Sequence, residues 1–131
     1  MDAKLIKKLD LWWSRVVRYR AAGKGGFAQC FTCSVIDSVL YLDNGHYLDR
    51  AFLSTRFHED NCRVQCRKCN RLMSGNIPRY KIMLTKDIGE ERISELEELK
   101  DKPLALTDKE VSDLIRKWRA ECRLLRLDKN F

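Results

Sequence analysis

A chain of 131 residues with 34% charged and 44% apolar side chains is long enough to bury a core and carries the balance of an ordinary globular protein. It has no run of about eighteen apolar residues, which excludes a helical membrane span. A formal charge of +7 predicts a polyanionic partner, nucleic acid before any other.

The first ten residues, MDAKLIKKLD, are charged and lack the apolar centre of a secretory leader. A cytoplasmic chain with reduced thiols is therefore expected. Residues 3–21 predict a helix, because Leu5, Leu9, Trp12, Trp13, Val16 and Val17 recur at helical spacing. Gly23, Gly25 and Gly26 end it. Helical periodicity then disappears over 27–61. Short extended runs, Val39–Leu42 and Tyr47–Leu53, flank Asn44-Gly45, a pair that predicts the turn of a hairpin. From Arg67 the pattern is helical again, in short pieces that stop near Ser74-Gly75 and at Gly89, with a third piece over Glu90–Lys100. Pro103 breaks the chain. Thr107 and Glu110 form a capping-box pattern that opens a last helix to about Leu127, with Val111, Leu114, Ile115, Trp118, Cys122 and Leu125 on one face.

Charge is unevenly spread along this order. Asn61 to Lys86 contains Arg63, Arg67, Lys68, Arg71, Arg79, Lys81 and Lys86 and no acid, so it is the expected phosphate-facing segment. Asp87 to Asp101 is the acidic reverse, with Glu90, Glu91, Glu95, Glu97 and Glu98.

Two Cys-x-x-Cys units, Cys30-Phe-Thr-Cys33 and Cys66-Arg-Lys-Cys69, supply four thiolates, the set that closes a tetrahedral Zn²⁺. Two separate pairs with basic flanks and no βαβ pattern speak against a redox dithiol. The gap between the pairs is longer than usual and is explained by an inserted functional hairpin. Cys62 could replace a ligand; lacking a paired cysteine, it reads as a bystander. Cys122 lies on an apolar helix face and reads as core. A four-thiolate zinc is closed and does no chemistry, so catalysis must come from elsewhere. His46, Asn61 and Asn70 are the candidates: one follows Asn44-Gly45, one precedes Cys66 by five, and one follows Cys69 directly.

At these residues the sequence resembles a His-Me finger (HNH-type) nuclease built on a zinc-bound treble clef, and the arrangement is similar to that of recombination endonuclease VII. CFTC, NGHYLDR, RFHEDNCRVQCRKCNR, SGNIPRYKIML and IGEERISELEEL, with the N-terminal KLDLWWSRVVRYR, resemble more closely the NinG/Rap family of lambdoid phage recombination proteins. The resemblance implies a mostly helical α+β fold in one domain over 1–131. An N-terminal helix (1–24) and C-terminal helices (76–131) would flank a zinc-bound ββα core (27–75). It implies a metal-dependent endonuclease acting on branched DNA such as Holliday junctions and D-loops, in the cytoplasm of a bacterial host. His46 would be the general base and Asn70 a ligand of catalytic Mg²⁺ or Mn²⁺. Asn61 would brace the hairpin or orient His46, and Arg56, Arg67 or Arg71 would hold the scissile phosphate.

Many relatives carry Asp directly before the His, where this chain has Gly45. Asp43 and Asp49, of the same strand parity, are the candidate replacements. The alternative is a non-catalytic zinc module that binds DNA and recruits other proteins, and a third class is a protein-binding zinc adaptor. No membrane and no small-molecule cofactor are expected. Trp12, Trp13, Leu114, Ile115 and Trp118 predict either a C2 homodimer or packing of the terminal helices on each other.

Overall fold

A computed structural model describes residues 2–131. The N-terminal helix α1 (Ala3–Ala21) starts where Asp2 accepts a hydrogen bond from the Lys4 amide at 2.9 Å. It buries Leu9, Trp13, Val16 and Tyr19, one helical face. The last helix α5 (Asp108–Lys129) opens on the expected capping box. Thr107 Oγ1 accepts from the Glu110 amide, and Glu110 Oε1 accepts from the Thr107 amide, both at 3.1 Å. The two helices pack on each other through Trp13 and Trp118, whose ring centroids lie 4.9 Å apart. Trp12, Leu114 and Ile115 pack against the same cluster. The apolar side chains weighed for a dimer interface are thus used within the chain.

Between these helices lie two separate antiparallel pairs. Strands β1 (Phe27–Gln29) and β2 (Ile36–Ser38) pair Phe27 with Ser38 and Gln29 with Ile36. They flank the first cysteine pair, a hairpin that the sequence pattern did not single out. Strands β3 (Asp43–His46) and β4 (Cys62–Gln65) pair Asp43 with Gln65 and His46 with Cys62. Asn44-Gly45 is therefore inside a strand and not at a turn. Packing decides this: a Cβ on Gly45 would stand 1.9 Å from Gln65 Oε1, so only glycine lets the Gln65 side chain cross there. Tyr47–Leu53 is likewise not a strand partner. It is a loop that leads through the short helix α2 (Leu53–Arg56) to β4. Val39, in a turn, and Leu42, directly before β3, drop into the main core.

After β4 comes a short π-helical turn, Lys68–Leu72, then α3 (Ile77–Ile88) and α4 (Glu90–Leu99). These close a second cluster of Tyr47, Tyr80, Leu84, Ile93 and Leu96. The class is α+β and mostly helical, as expected. Among the described residues no helix is long and apolar enough to cross a membrane.

Candidate functional site

The Sγ atoms of Cys30, Cys33, Cys66 and Cys69 all lie within 4.8 Å of one another, and those of Cys33 and Cys66 are 3.6 Å apart. Ligands at about 2.3 Å from a tetrahedral ion are separated by about 3.8 Å, so this cluster could hold a metal ion such as zinc. Burial pushes the Cys66 thiol up to about 12, and Cys33 is also raised by burial. At Cys30 burial works in the same direction, yet hydrogen bonds from Thr32 and from the backbone amides of Cys66, Cys33 and Thr32 bring it down to about 6. Four clustered thiols cannot all ionise unaided; a divalent cation removes that penalty.

Residues around the cluster hold it in shape. Gln65 Nε2 donates to Thr32 Oγ1 at 3.0 Å and to the Gly75 carbonyl at 2.9 Å, tying the two halves together. Asn76 Nδ2 reaches Cys69 Sγ at 3.7 Å, and the Cys69 amide reaches Cys66 Sγ at 3.4 Å. Cys62 stays outside the cluster. It is buried, takes the Trp13 indole N–H at 3.2 Å, and burial raises it to about 12, which makes it an unreactive core thiol.

Beside the cluster lies a cleft of about 760 Å³ lined by α1, β3, the loop after β3 and the π-helical turn. His46, at the end of β3, places Nε2 2.9 Å from the Arg56 carbonyl. A carbonyl only accepts, so Nε2 carries the proton and Nδ1 keeps its lone pair. Burial lowers the imidazole from 6.5 to about 4, so it is neutral near pH 7. The other histidine, His58, serves its own turn, where its Nδ1 accepts from the Asp60 amide at 3.0 Å.

Asn61 is fully buried. Its Oδ1 accepts from the Leu48 amide at 2.7 Å, while Nδ2 donates to the carbonyls of Leu48 and Thr55 at 3.2 and 3.0 Å. It therefore clamps both ends of the loop that brings Arg56 to His46. Asp43 and Asn70 meet, with Asn70 Nδ2 donating to Asp43 Oδ2 at 3.0 Å. That bond leaves the Asn70 side-chain oxygen uncommitted, so a carboxylate and an amide oxygen stand together, a donor pair that fits a hard divalent cation. The exposed Arg71 also grips Asp43, with both bonds at 2.9 Å. Asp49 lines the same cleft, but its Oδ1 is engaged by the Ala51 amide at 2.8 Å in a local turn.

The basic block does not stay together. Arg67 and Arg71 line the cleft. Lys68 is exposed on the π-helical turn, and Arg79 and Lys81 are exposed on α3, outside the cleft lining. Arg63 belongs to another face, paired with Asp87 at 3.0 Å. The guanidinium of Arg56 is held by Asp10 at 2.8 and 2.5 Å, so its backbone carbonyl, not its charge, meets His46. Asp10, Ser14 and Arg18 of α1 and Arg50 of the loop also line it. The polar spacing of the three on α1 was a readable signal, but it lies in a helix far in sequence from the cysteines.

The family model described as "Bacteriophage Lambda NinG protein" matches residues 3–128. Protein ninG of Escherichia phage lambda is 38% identical over 69 residues, which are 52% of this chain and 33% of that protein. The ninG proteins of Escherichia phage 933W and Salmonella phage P22 are each 38% identical over 69 residues, 52% of this chain and 34% of each relative. The chain thus spans about a third of the length of the curated relatives it matches. No solved structure matches.

Proposed function

This chain belongs to the NinG family, and from that membership and the His46 cleft we propose that it is a divalent-metal-dependent endonuclease acting on branched DNA in phage recombination, with one structural Zn²⁺ on its four cysteines. The observation that carries this reading is the pinned imidazole: Nε2 is committed to the Arg56 carbonyl, and His46 shares its cleft with Asp43, Asn70 and four arginines, Arg67 and Arg71 among them. The order β3, β4 and helical turn, with the cysteine pairs around it, supports the His-Me finger reading.

In this reading His46 Nδ1 takes a proton from the attacking water. Asn61 holds the loop and Arg56 holds the imidazole, so the base cannot rotate away from the phosphate. Arg67 and Arg71 meet the scissile phosphate. Asp43 and Asn70 would hold Mg²⁺ or Mn²⁺, which supplies positive charge for the phosphate and the leaving 3′-oxygen. Arg71 competes for Asp43 and must release it first. That grip is what favours the second reading, a zinc-bound DNA-binding module without catalysis.

Cleavage of synthetic junctions, flaps and duplexes by wild type and His46→Ala, with and without Mg²⁺ or Mn²⁺, tests the proposal. Wild type nicks junctions only with the divalent ion, and His46→Ala loses about two to four orders of magnitude while keeping zinc and DNA affinity. Equal cleavage by the two proteins defeats the assignment of His46. Absence of any cleavage by folded, zinc-loaded wild type leaves the binding module as the function.

A further inference from the structure

A second groove runs between α1 and α5, on a different face from the His46 cleft. Trp12, Arg15, Arg119, Arg123 and Arg126 line it, and no acidic residue does. The Arg15 guanidinium lies 4.6 Å from the Trp12 ring centroid and that of Arg119 lies 5.5 Å from it, so one indole holds two cations in place. Elsewhere the arginines are largely neutralised: Arg20, Arg50, Arg56, Arg63, Arg71 and Arg92 are each paired with a carboxylate. Among the described residues Arg15, Arg119 and Arg123 form no ion pair. On α5, Glu121 is held by Arg20 at 2.9 Å. Guanidinium groups with unclaimed N–H donors and no acidic side chain in the lining suit phosphates; Arg15 and Arg119 are in addition positioned by Trp12, while Arg126 gives Nε to the Phe131 main-chain oxygen at 3.2 Å.

Helix α1 is a wall of both grooves. At about 100° per residue, Asp10, Ser14 and Arg18 form one stripe, and Trp12, Arg15 and Tyr19 form another about 130° around the helix. Between the two stripes the helix presents Lys4, Lys7 and Lys8, all exposed. Two faces turned so far apart cannot both meet one straight duplex, but two arms diverging from a branch can reach them over this basic ridge.

We propose that the α1–α5 groove binds the phosphate backbone of a second arm of branched DNA, while the first arm occupies the His46 cleft. The inference rests on the reading of that cleft as a DNA site and adds what would select branched over linear DNA. The test is binding without divalent ions, read by fluorescence anisotropy on a synthetic four-way junction and on a linear duplex. Arg119→Glu/Arg123→Glu weakens junction binding at least about tenfold and reduces the slope of log K against log salt by about two, while duplex binding changes little. Arg119→Gln/Arg123→Gln gives a smaller loss in the same direction. Both variants keep the zinc content and circular dichroism of wild type, since the side chains are exposed. Unchanged junction affinity and slope in a folded variant overturn the proposal, and an equal loss on the linear duplex overturns the assignment to a second arm. Cleavage plays no part in this readout, so a protein that binds junctions selectively but never cuts removes only the nuclease reading. Wild type that binds neither DNA removes the DNA reading of the cleft and this proposal with it.

Discussion

The cysteine cluster and the His46 cleft stand side by side but are built in opposite ways. Each half of the cluster comes from a four-residue motif, and Gln65, Thr32 and Asn76 bind its surroundings into a closed knot. The cleft is assembled from α1, β3, the loop after β3 and a helical turn; Asp43 and His46 share β3 and Asn70-Arg71 share the turn, but no one motif contains both pairs. A closed, locally encoded cluster suits structure. An open site of pinned side chains suits chemistry, because its groups can be changed without loss of the fold.

The sharpest way to break this contrast is to remove a ligand from the cluster. Cys30→Ser or Cys69→Ser should release the metal and abolish cooperative unfolding, since binding energy in a small metal site is folding energy. Zinc content and a thermal melt followed by circular dichroism check this; a zinc-free protein with an unchanged melt would falsify the structural role. A smaller effect is expected in the cleft. Asp43→Asn should slow cleavage about tenfold or more, with partial recovery at high Mn²⁺, and leave the melt close to wild type. Asp49→Asn should be mild, because that carboxylate already serves the Ala51 amide. The reverse ranking in junction cleavage would assign the divalent ion to Asp49.

Acid sharpens the comparison further. The folded state holds His46 neutral to about pH 4, whereas the unfolded imidazole titrates at 6.5. Between those values the unfolded chain binds more protons, so this contribution to stability is whole above pH 6.5 and is lost as the pH falls towards 4. Unfolding free energy from urea titrations should fall between pH 7 and pH 5 by about 2 kcal/mol more in wild type than in His46→Ala. An identical pH response in both proteins would show that His46 is not desolvated. Least damaging is Cys62→Ala. It should keep the full zinc content and cost about 1–2 kcal/mol, through a small cavity and an orphaned Trp13 indole N–H. Loss of zinc in this variant would move Cys62 into the ligand set.

What could be read from the amino acids alone was local. The terminal helices, the Thr107–Glu110 capping box and the two Cys-x-x-Cys units are set by interactions among residues three or four apart, and all of them recur in the fold where their patterns place them. The acid-free stretch from Asn61 to Lys86 was equally legible as a run of charge, but not as a surface. Its members divide among three faces because β4, the π-helical turn and α3 point them in different directions.

The strand pairing was decided at long range. Asn44-Gly45 is a turn signal by residue type, yet it lies in β3, since β3 pairs with a strand beyond a long loop and Gly45 must admit the Gln65 side chain. The environment of His46 is of the same kind. The partner that sets its tautomer is a backbone carbonyl at Arg56, which every residue type possesses and no sequence pattern can mark. The wall that α1 gives to the cleft depends on how a helix far away in sequence docks. Short-range hydrogen bonding and ligand spacing wrote themselves into the order of residues; burial, register and docking exist only once the chain has closed on itself.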